Sequence, residues 1–189
     1  MEFKKIAVAT GNEGKLKEIR NIFTGVELVS MKELGFDGDI EENGTTFRAN
    51  AQIKAKVIAK KFNLPALADD SGLCVDALSG APGIYSARFS GEGDAANRKL
   101  LLKQMENITD RRAHFECAVC LYVPDGRTYF GDGKTYGSIL YGERGTGGFG
   151  YDCLFHSDDL NKSFGETSEE EKNSVSHRFR ALKDLQAKL

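Results

Sequence analysis

The sequence predicts an α/β (α+β) fold, a mixed β-sheet with flanking helices. Three observations predict it. Short apolar runs alternate with amphipathic helical stretches through the first part of the chain. A hairpin signal, Pro124-Asp125-Gly126, then breaks that alternation. The chain has 189 residues, and area scaling lets roughly 70% of the surface of a chain this size be buried, so one core-bearing unit over 1–189 needs no staples.

The elements follow in order. Residues 6–9 form a short apolar run that suits a buried strand. Residues 14–23 place Leu16, Ile19, Ile22 and Phe23 on one helical face. Residues 26–30 read as a second strand. Thr45 or Thr46 can cap a longer helix, in which Phe47, Ala51, Ala55, Ile58 and Phe62 recur at three- and four-residue steps. Leu64-Pro65 ends it, and residues 66–68 begin another strand. Residues 94–105 are helical, with Asp94 as candidate N-cap. Residues 114–123 and 127–130 flank the hairpin turn. Residues 151–155 look extended. A last helix over 174–189 carries the stripe Val175, Phe179, Leu182, Leu185 and Leu189.

Composition excludes several classes. Hydrophobic residues are 40% and charged residues 29%, values of an ordinary globular chain. A net charge of −2 argues against binding nucleic acid by bulk electrostatics. No apolar run approaches the length of a membrane span. Met1-Glu2-Phe3-Lys4-Lys5 opens on an apolar stretch too short for a secretory signal, so a cytoplasmic protein with free thiols is expected. Cys117-x-x-Cys120 falls in an alternating strand pattern that sends the two thiols to opposite faces, and no second ligand pair accompanies it.

Four segments can carry chemistry. Thr10-Gly11-Asn12-Glu13-Gly14-Lys15 joins the first strand to the first helix, where backbone amides, the helix dipole and a lysine can meet phosphate. It equally suits a plain connecting turn, and its spacing fails the P-loop pattern. Asp69-Asp70 at a strand end, with Glu41-Glu42 in an earlier loop, offers carboxylates from two segments, as Mg²⁺ prefers; a solvated acidic turn is the alternative. In extended chain the two aspartates point opposite ways. Residues 145–150 match G-x-G-x-x-G, yet they neither follow a first strand nor open a helix. With Phe149 and Tyr151, that loop suits a flat aromatic ligand or a flexible hairpin. Lys172, His177 and Arg178 offer donors at the last helix, or solvated charge.

Taken together, TGNEGK at 10–15, TFRANAQIKA at 46–55, LADDSGLCVDALSGAPGIYSARFSG at 67–91, GTGGFGYDCLF at 145–155 and EEKNSVSHRFRAL at 170–182 resemble the inosine triphosphatase family. Its members are pyrophosphatases for noncanonical purine nucleoside triphosphates. The resemblance implies an elongated mixed sheet with two lobes around a central substrate cleft. It implies a homodimer and hydrolysis of inosine, deoxyinosine and xanthosine triphosphates to monophosphate and pyrophosphate with Mg²⁺. It also implies that Thr10, Gly11, Asn12, Glu13, Gly14, Lys15 and Lys54 hold phosphates. Glu42 and Asp70 would carry the metal, with Asp70 as the water-activating base. Ser71 would contact substrate, Phe149, Gly150, Tyr151 and Asp152 would form the base-side loop, and Lys172, His177 and Arg178 would read the base. Two positions depart from the family pattern. Ala49 stands where a glutamate is frequent, and Cys153 stands in place of a proline. A nucleotide sensor without turnover, or a pyrophosphatase for other modified nucleotides, are the competing readings.

Overall fold

The computed structural model describes residues 3–189. Met1 and Glu2, at the start of the N-terminal run considered above, lie outside them. Seven strands make one mixed sheet: β1 (Lys5–Val8), β2 (Glu27–Ser30), β3 (Ala66–Val75), β4 (Arg112–Tyr122), β5 (Thr128–Ile139), β6 (Phe155–Ser157) and β7 (Lys162–Ser163). Their order is β2-β1-β3-β4-β5-β6-β7. β1 pairs parallel with β2 and β3, while β5, β6 and β7 pair antiparallel. Five helices accompany them: α1 (Glu13–Ile22), α2 (Phe47–Phe62), α3 (Asp94–Gln104), α4 (Glu169–Val175) and α5 (His177–Gln186). Among the described residues no helix is long and apolar enough to cross a membrane.

The chain divides into two compact units, each assembled from separated segments. The first contains the chain up to Asp70, then Cys117–Gly133 and Arg178–Leu189; the second contains Ser71–Glu116 and Lys134–His177.

Strand alternation builds the first unit. Ile6, Val8, Leu67, Cys117, Val119 and Leu121 bury one sheet face against Leu16, Ile19 and Ile22 of α1 and Ala181, Leu182 and Leu185 of α5. Their neighbours Ala7, Ala66, Ala68, Cys120 and Tyr122 bury the other face against Ala51, Ala55, Ile58 and Ala59 of α2. The alanines on both surfaces let α2 lie close to the sheet. Cys117 and Cys120 therefore do face opposite ways, and all four cysteines are free. In the second unit, Leu73, Val75, Leu101, Phe115, Ile139, Phe155 and Phe164 form the core. The rings of Phe115 and Phe155 are 4.7 Å apart and those of Phe155 and Phe164 are 5.1 Å apart.

Five local expectations are extended or corrected. β3 runs seven residues past 68, through Asp69-Asp70-Ser71-Gly72, because those polar groups find buried partners. β5 extends to Ile139 through glycines that ordinarily weaken a strand. A Cβ on Gly131 would fall 2.1 Å from the Ala181 carbonyl oxygen, and one on Gly137 would fall 2.0 Å from that of His156. Close packing thus requires both. The C-terminal stripe is two helices broken at Ser176, whose ψ of 153° is extended. Val175 packs in the second unit's core, whereas Phe179, Leu182 and Leu185 pack in the first unit's. Residues 152–154 form a 3-10 turn before β6, and the N-cap of α3 is Gly93, not Asp94.

Candidate active site

In the first unit, the β1–α1 turn is shaped by its own side chains. Thr10 Oγ1 accepts from Asn12 N–H at 3.2 Å, and Asn12 Oδ1 caps α1 by accepting from Lys15 N–H at 3.0 Å. Glu13 lies exposed in the first helical turn. Lys15 reaches from α1 to β3, where its Nζ stands 3.3 Å from Asp69 Oδ2. The same oxygen accepts from Arg178 Nε at 3.1 Å and Nη2 at 2.9 Å, and Arg178 Nη1 donates to Glu18. Burial alone would push the Asp69 carboxyl up, but the charges of Lys15, Arg178 and Lys54 outweigh it and hold the group well below the carboxylate range. Asp69 is therefore an ionised anchor.

Asp70, one residue on, points to different partners. Asn50 Nδ2 donates to its Oδ2 at 3.0 Å, and Lys54 Nζ lies 4.0 Å from its Oδ1. Lys54 also donates to Glu42 Oε1 at 3.1 Å. The lysine ammonium thus stands near two carboxylates from separate segments. Burial raises the Asp70 carboxyl above its ordinary value, opposed by Lys54, Lys15 and the Asn50 bond and reinforced by Glu42. Glu42 is half-buried and Glu41 exposed, so Glu42 is the loop carboxylate in the cluster.

Asn50 is the member that the sequence did not disclose. It is fully buried and lies one turn before Lys54 on α2. Its Oδ1 accepts from Gly44 N–H at 2.8 Å, which ties the Glu42 loop to the helix. Gly44 must be glycine, because a Cβ there would sit 2.6 Å from Asn50 Oδ1 and 2.8 Å from Ala49 Cβ. An amide set between Ala49 and Ala51, one turn before Lys54, was the available signal. Glu18 was missed for the opposite reason: on a charged helix it looks like surface, yet it is buried against Arg178.

The second unit brings together Phe149, Gly150, Tyr151, Asp152 and Lys172. Asp152 Oδ2 accepts from Phe149 N–H at 2.8 Å and from Lys172 Nζ at 2.7 Å. Both ends of that ion pair are buried, and Lys172 Nζ lies 4.6 Å from the centre of the Phe149 ring. Gly150 N–H donates to Asp94 and its carbonyl accepts from Arg98 Nη1, while Tyr151 Oη donates to the Ser86 carbonyl. Gly147 N–H donates to the Gly165 carbonyl at 2.8 Å. These bonds hold the glycine-rich segment in place, so it is no slack hairpin. The ring of His177 stacks on Phe115 with centroids 4.9 Å apart. Ser71 is half-buried on β3. Arg178 is gathered with Asp69 and Glu18 of the first unit.

The first unit thus holds buried cations paired to buried carboxylates, and the second holds a pinned aromatic loop. A model of the Ham1 family matches residues 6–188. The chain belongs to the Ham1 family. A dITP/XTP pyrophosphatase of Bacillus licheniformis is 44% identical over 192 residues, covering 98% of each chain. One of Geobacter sulfurreducens is 48% identical over 184 residues, covering 94% of this chain and 92% of that protein. The structure of the Staphylococcus aureus Ham1 protein superposes with a TM-score of 0.88 at 44% identity, covering 97% of both chains. A HAM1 protein from Coxiella burnetii gives 0.88 at 37% identity, covering 97% of this chain and 96% of that one. This Ham1 chain therefore shares both fold and sequence with proteins of that kind over nearly its full length.

Proposed function

We propose that this Ham1 chain hydrolyses noncanonical purine nucleoside triphosphates (inosine, deoxyinosine and xanthosine triphosphates) to the monophosphate and pyrophosphate. The observation that carries the reading is the cluster of buried Asp70, Asn50 and Lys54 with half-buried Glu42, beside the Lys15–Asp69–Arg178 network. Phosphoryl transfer needs charge neutralisation and positioning more than covalent help. Lys15, Lys54 and the amides of residues 10–15 supply both for a phosphate chain. The names of the relatives supply the base preference.

Glu42 and Asp70 fit Mg²⁺ by their donor chemistry: two carboxylates from different segments, already neighbours of a shared cation, Lys54. Bound there, Mg²⁺ would neutralise phosphate charge and polarise a phosphoryl oxygen. Asp70 accepts the proton of the attacking water as the new P–O bond forms at the α-phosphorus and the α–β bridge breaks to release pyrophosphate. Its raised proton affinity suits that role. Asn50 orients Asp70 and tethers the Glu42 loop. Asp69 holds Lys15, and Arg178 acts through Asp69 as a positioning residue.

The purine is taken by the second unit's residues. Phe149 offers a ring face, Lys172 and His177 offer donors toward a 6-oxo group, and Asp152 fixes Lys172 against Phe149 N–H. An adenine amino group would meet donors with a donor, and buried polar sites discriminate by about 10⁴–10⁵ on such grounds. Four buried thiols suit the reducing cytoplasm, and the exposed Tyr85, Tyr136 and Tyr141 of the second unit suit a second copy in a homodimer.

Incubation with inosine triphosphate and Mg²⁺ tests the reading. Release of pyrophosphate is the expected result. Release of a single orthophosphate, or binding without products, would contradict it.

A further inference from the structure

Phe115 points into the second unit's core, so its strand neighbours His114 and Glu116 lie on the other face of β4. Cys74 joins them from the adjacent strand β3. One ligand atom from each, thiol sulfur, imidazole nitrogen and carboxylate oxygen, lies within 4.8 Å of the other two. His114 Nε2 is 3.5 Å from Glu116 Oε2. The nucleotide chemistry uses none of the three.

We propose that Cys74, His114 and Glu116 bind one zinc ion, with solvent completing a four-coordinate shell. Sulfur, imidazole and carboxylate are the ligand types zinc takes, whereas Mg²⁺ takes oxygen alone. Ligand atoms on one tetrahedral zinc stand roughly 3.4–3.7 Å apart, so closing around the ion needs shifts on the order of 1 Å. Residues 114 and 116 share a strand face by the two-residue period, and neighbouring strands bring the thiol alongside; rigid elements therefore position all three ligands.

Two features of the surroundings bear on the assignment. Lys134 Nζ, from β5, stands 2.8 Å from Glu116 Oε2, with side-chain exposures of 44% and 32%. Exposed pairs of this kind are weakly held, and the lysine can swing to solvent while zinc takes its place. Burial, then the charge of Glu116, pushes the Cys74 thiol up to about 11, opposed by Lys134 and reinforced by Asp76. On binding, the S–H bond breaks, the proton passes to solvent and the thiolate bonds to zinc, with no change of oxidation state. The Tyr136 ring, 5.7 Å from that of His114, flanks the imidazole.

The test adds Co²⁺ to the 189-residue protein, stripped of transition metals and held in excess Mg²⁺, follows the thiolate-to-cobalt charge-transfer band, and displaces the cobalt with Zn²⁺. One equivalent per chain with a strong near-ultraviolet band is expected, and Zn²⁺ should raise the Tm. Cys74→Ser should abolish the band. His114→Gln, at a partly exposed position outside the hydrophobic core, should abolish tight binding while the far-ultraviolet circular dichroism stays native. Absence of a charge-transfer band, a band that survives Cys74→Ser, or unchanged affinity in His114→Gln would each overturn the assignment. If Cys74→Ser fails to fold, His114→Gln decides.

Discussion

Arg178 and Asp69 are joined twice through one oxygen: Nε and Nη2 of the buried guanidinium donate to Oδ2 at 3.1 and 2.9 Å. The two residues lie 109 positions apart in the chain, and both are almost wholly buried. Glu18 takes a further N–H of the same guanidinium, and Lys15 completes the Asp69 side. Arg178 therefore ties α5 to β3 and α1 through buried charge.

Removing Arg178 takes a shared cation away from two buried carboxylates, Asp69 and Glu18. Arg178→Ala is expected to lose about 3–5 kcal/mol of unfolding free energy, the range for breaking one side of a buried ion pair. Urea unfolding followed by circular dichroism measures it. A change under about 1 kcal/mol, the scale of a surface pair, would show the network to be peripheral.

Acid should expose the same network. The folded-state Asp69 carboxyl is held below its ordinary value of 3.8. Its stabilisation is therefore complete above that value and is lost as pH falls toward the folded-state value, because the unfolded chain binds the proton first. Between about pH 4 and pH 2, Asp69→Asn should show a stability slope shallower by roughly 1.4 kcal/mol per pH unit. Parallel slopes for parent and variant would remove Asp69 from the acid response. Comparing slopes, not absolute stabilities, cancels the cost of leaving Arg178 short of a partner.

Much of the frame was legible in advance. The apolar periodicities of residues 14–23 and 47–62 correspond to α1 and α2, and the Pro-Asp-Gly turn does join β4 to β5. Lys54, Glu42 and Asp70 do meet. What escaped were features whose local pattern argues against them. β3 continues through two aspartates because distant cations neutralise them, and no local window contains Lys15 or Arg178. The break at Ser176 was hidden since residues on either side keep a helical stripe while serving different cores. Asn50 looked like an ordinary helical polar residue, although its amide bridges Gly44 and Asp70.

That bridge yields a sharper expectation. Asn50→Ala leaves Asp70 Oδ2 and the Gly44 N–H without this partner, at about 1–3 kcal/mol for each buried group left unsatisfied. Because Asn50 positions both proposed metal-holding segments, kcat should fall and the Mg²⁺ concentration for half-maximal rate should rise. Steady-state kinetics across a Mg²⁺ series would read both, and a variant with unaltered Mg²⁺ dependence would detach Asn50 from the site.

The second unit can be probed through Lys172 and Asp152, a buried pair 2.7 Å apart. Lys172→Met should lower kcat/KM for inosine triphosphate and destabilise by about 3–5 kcal/mol, since Asp152 stays buried and charged. Adding Asp152→Asn should restore part of the stability but none of the catalytic efficiency. A double-mutant cycle separates the two effects. Recovery of activity with stability would make the pair structural alone.

The proposed role of Asp70 lies in a reaction that releases pyrophosphate from a 6-oxopurine triphosphate. The most direct measurement compares pyrophosphate release from inosine and adenosine triphosphates, with Mg²⁺, by the parent chain and by Asp70→Asn. Rapid release from inosine triphosphate, little from adenosine triphosphate, and a drop of about 10²–10³ or more in Asp70→Asn with the fold retained are expected. Equal cleavage of both nucleotides, or an undiminished rate in Asp70→Asn, would contradict it.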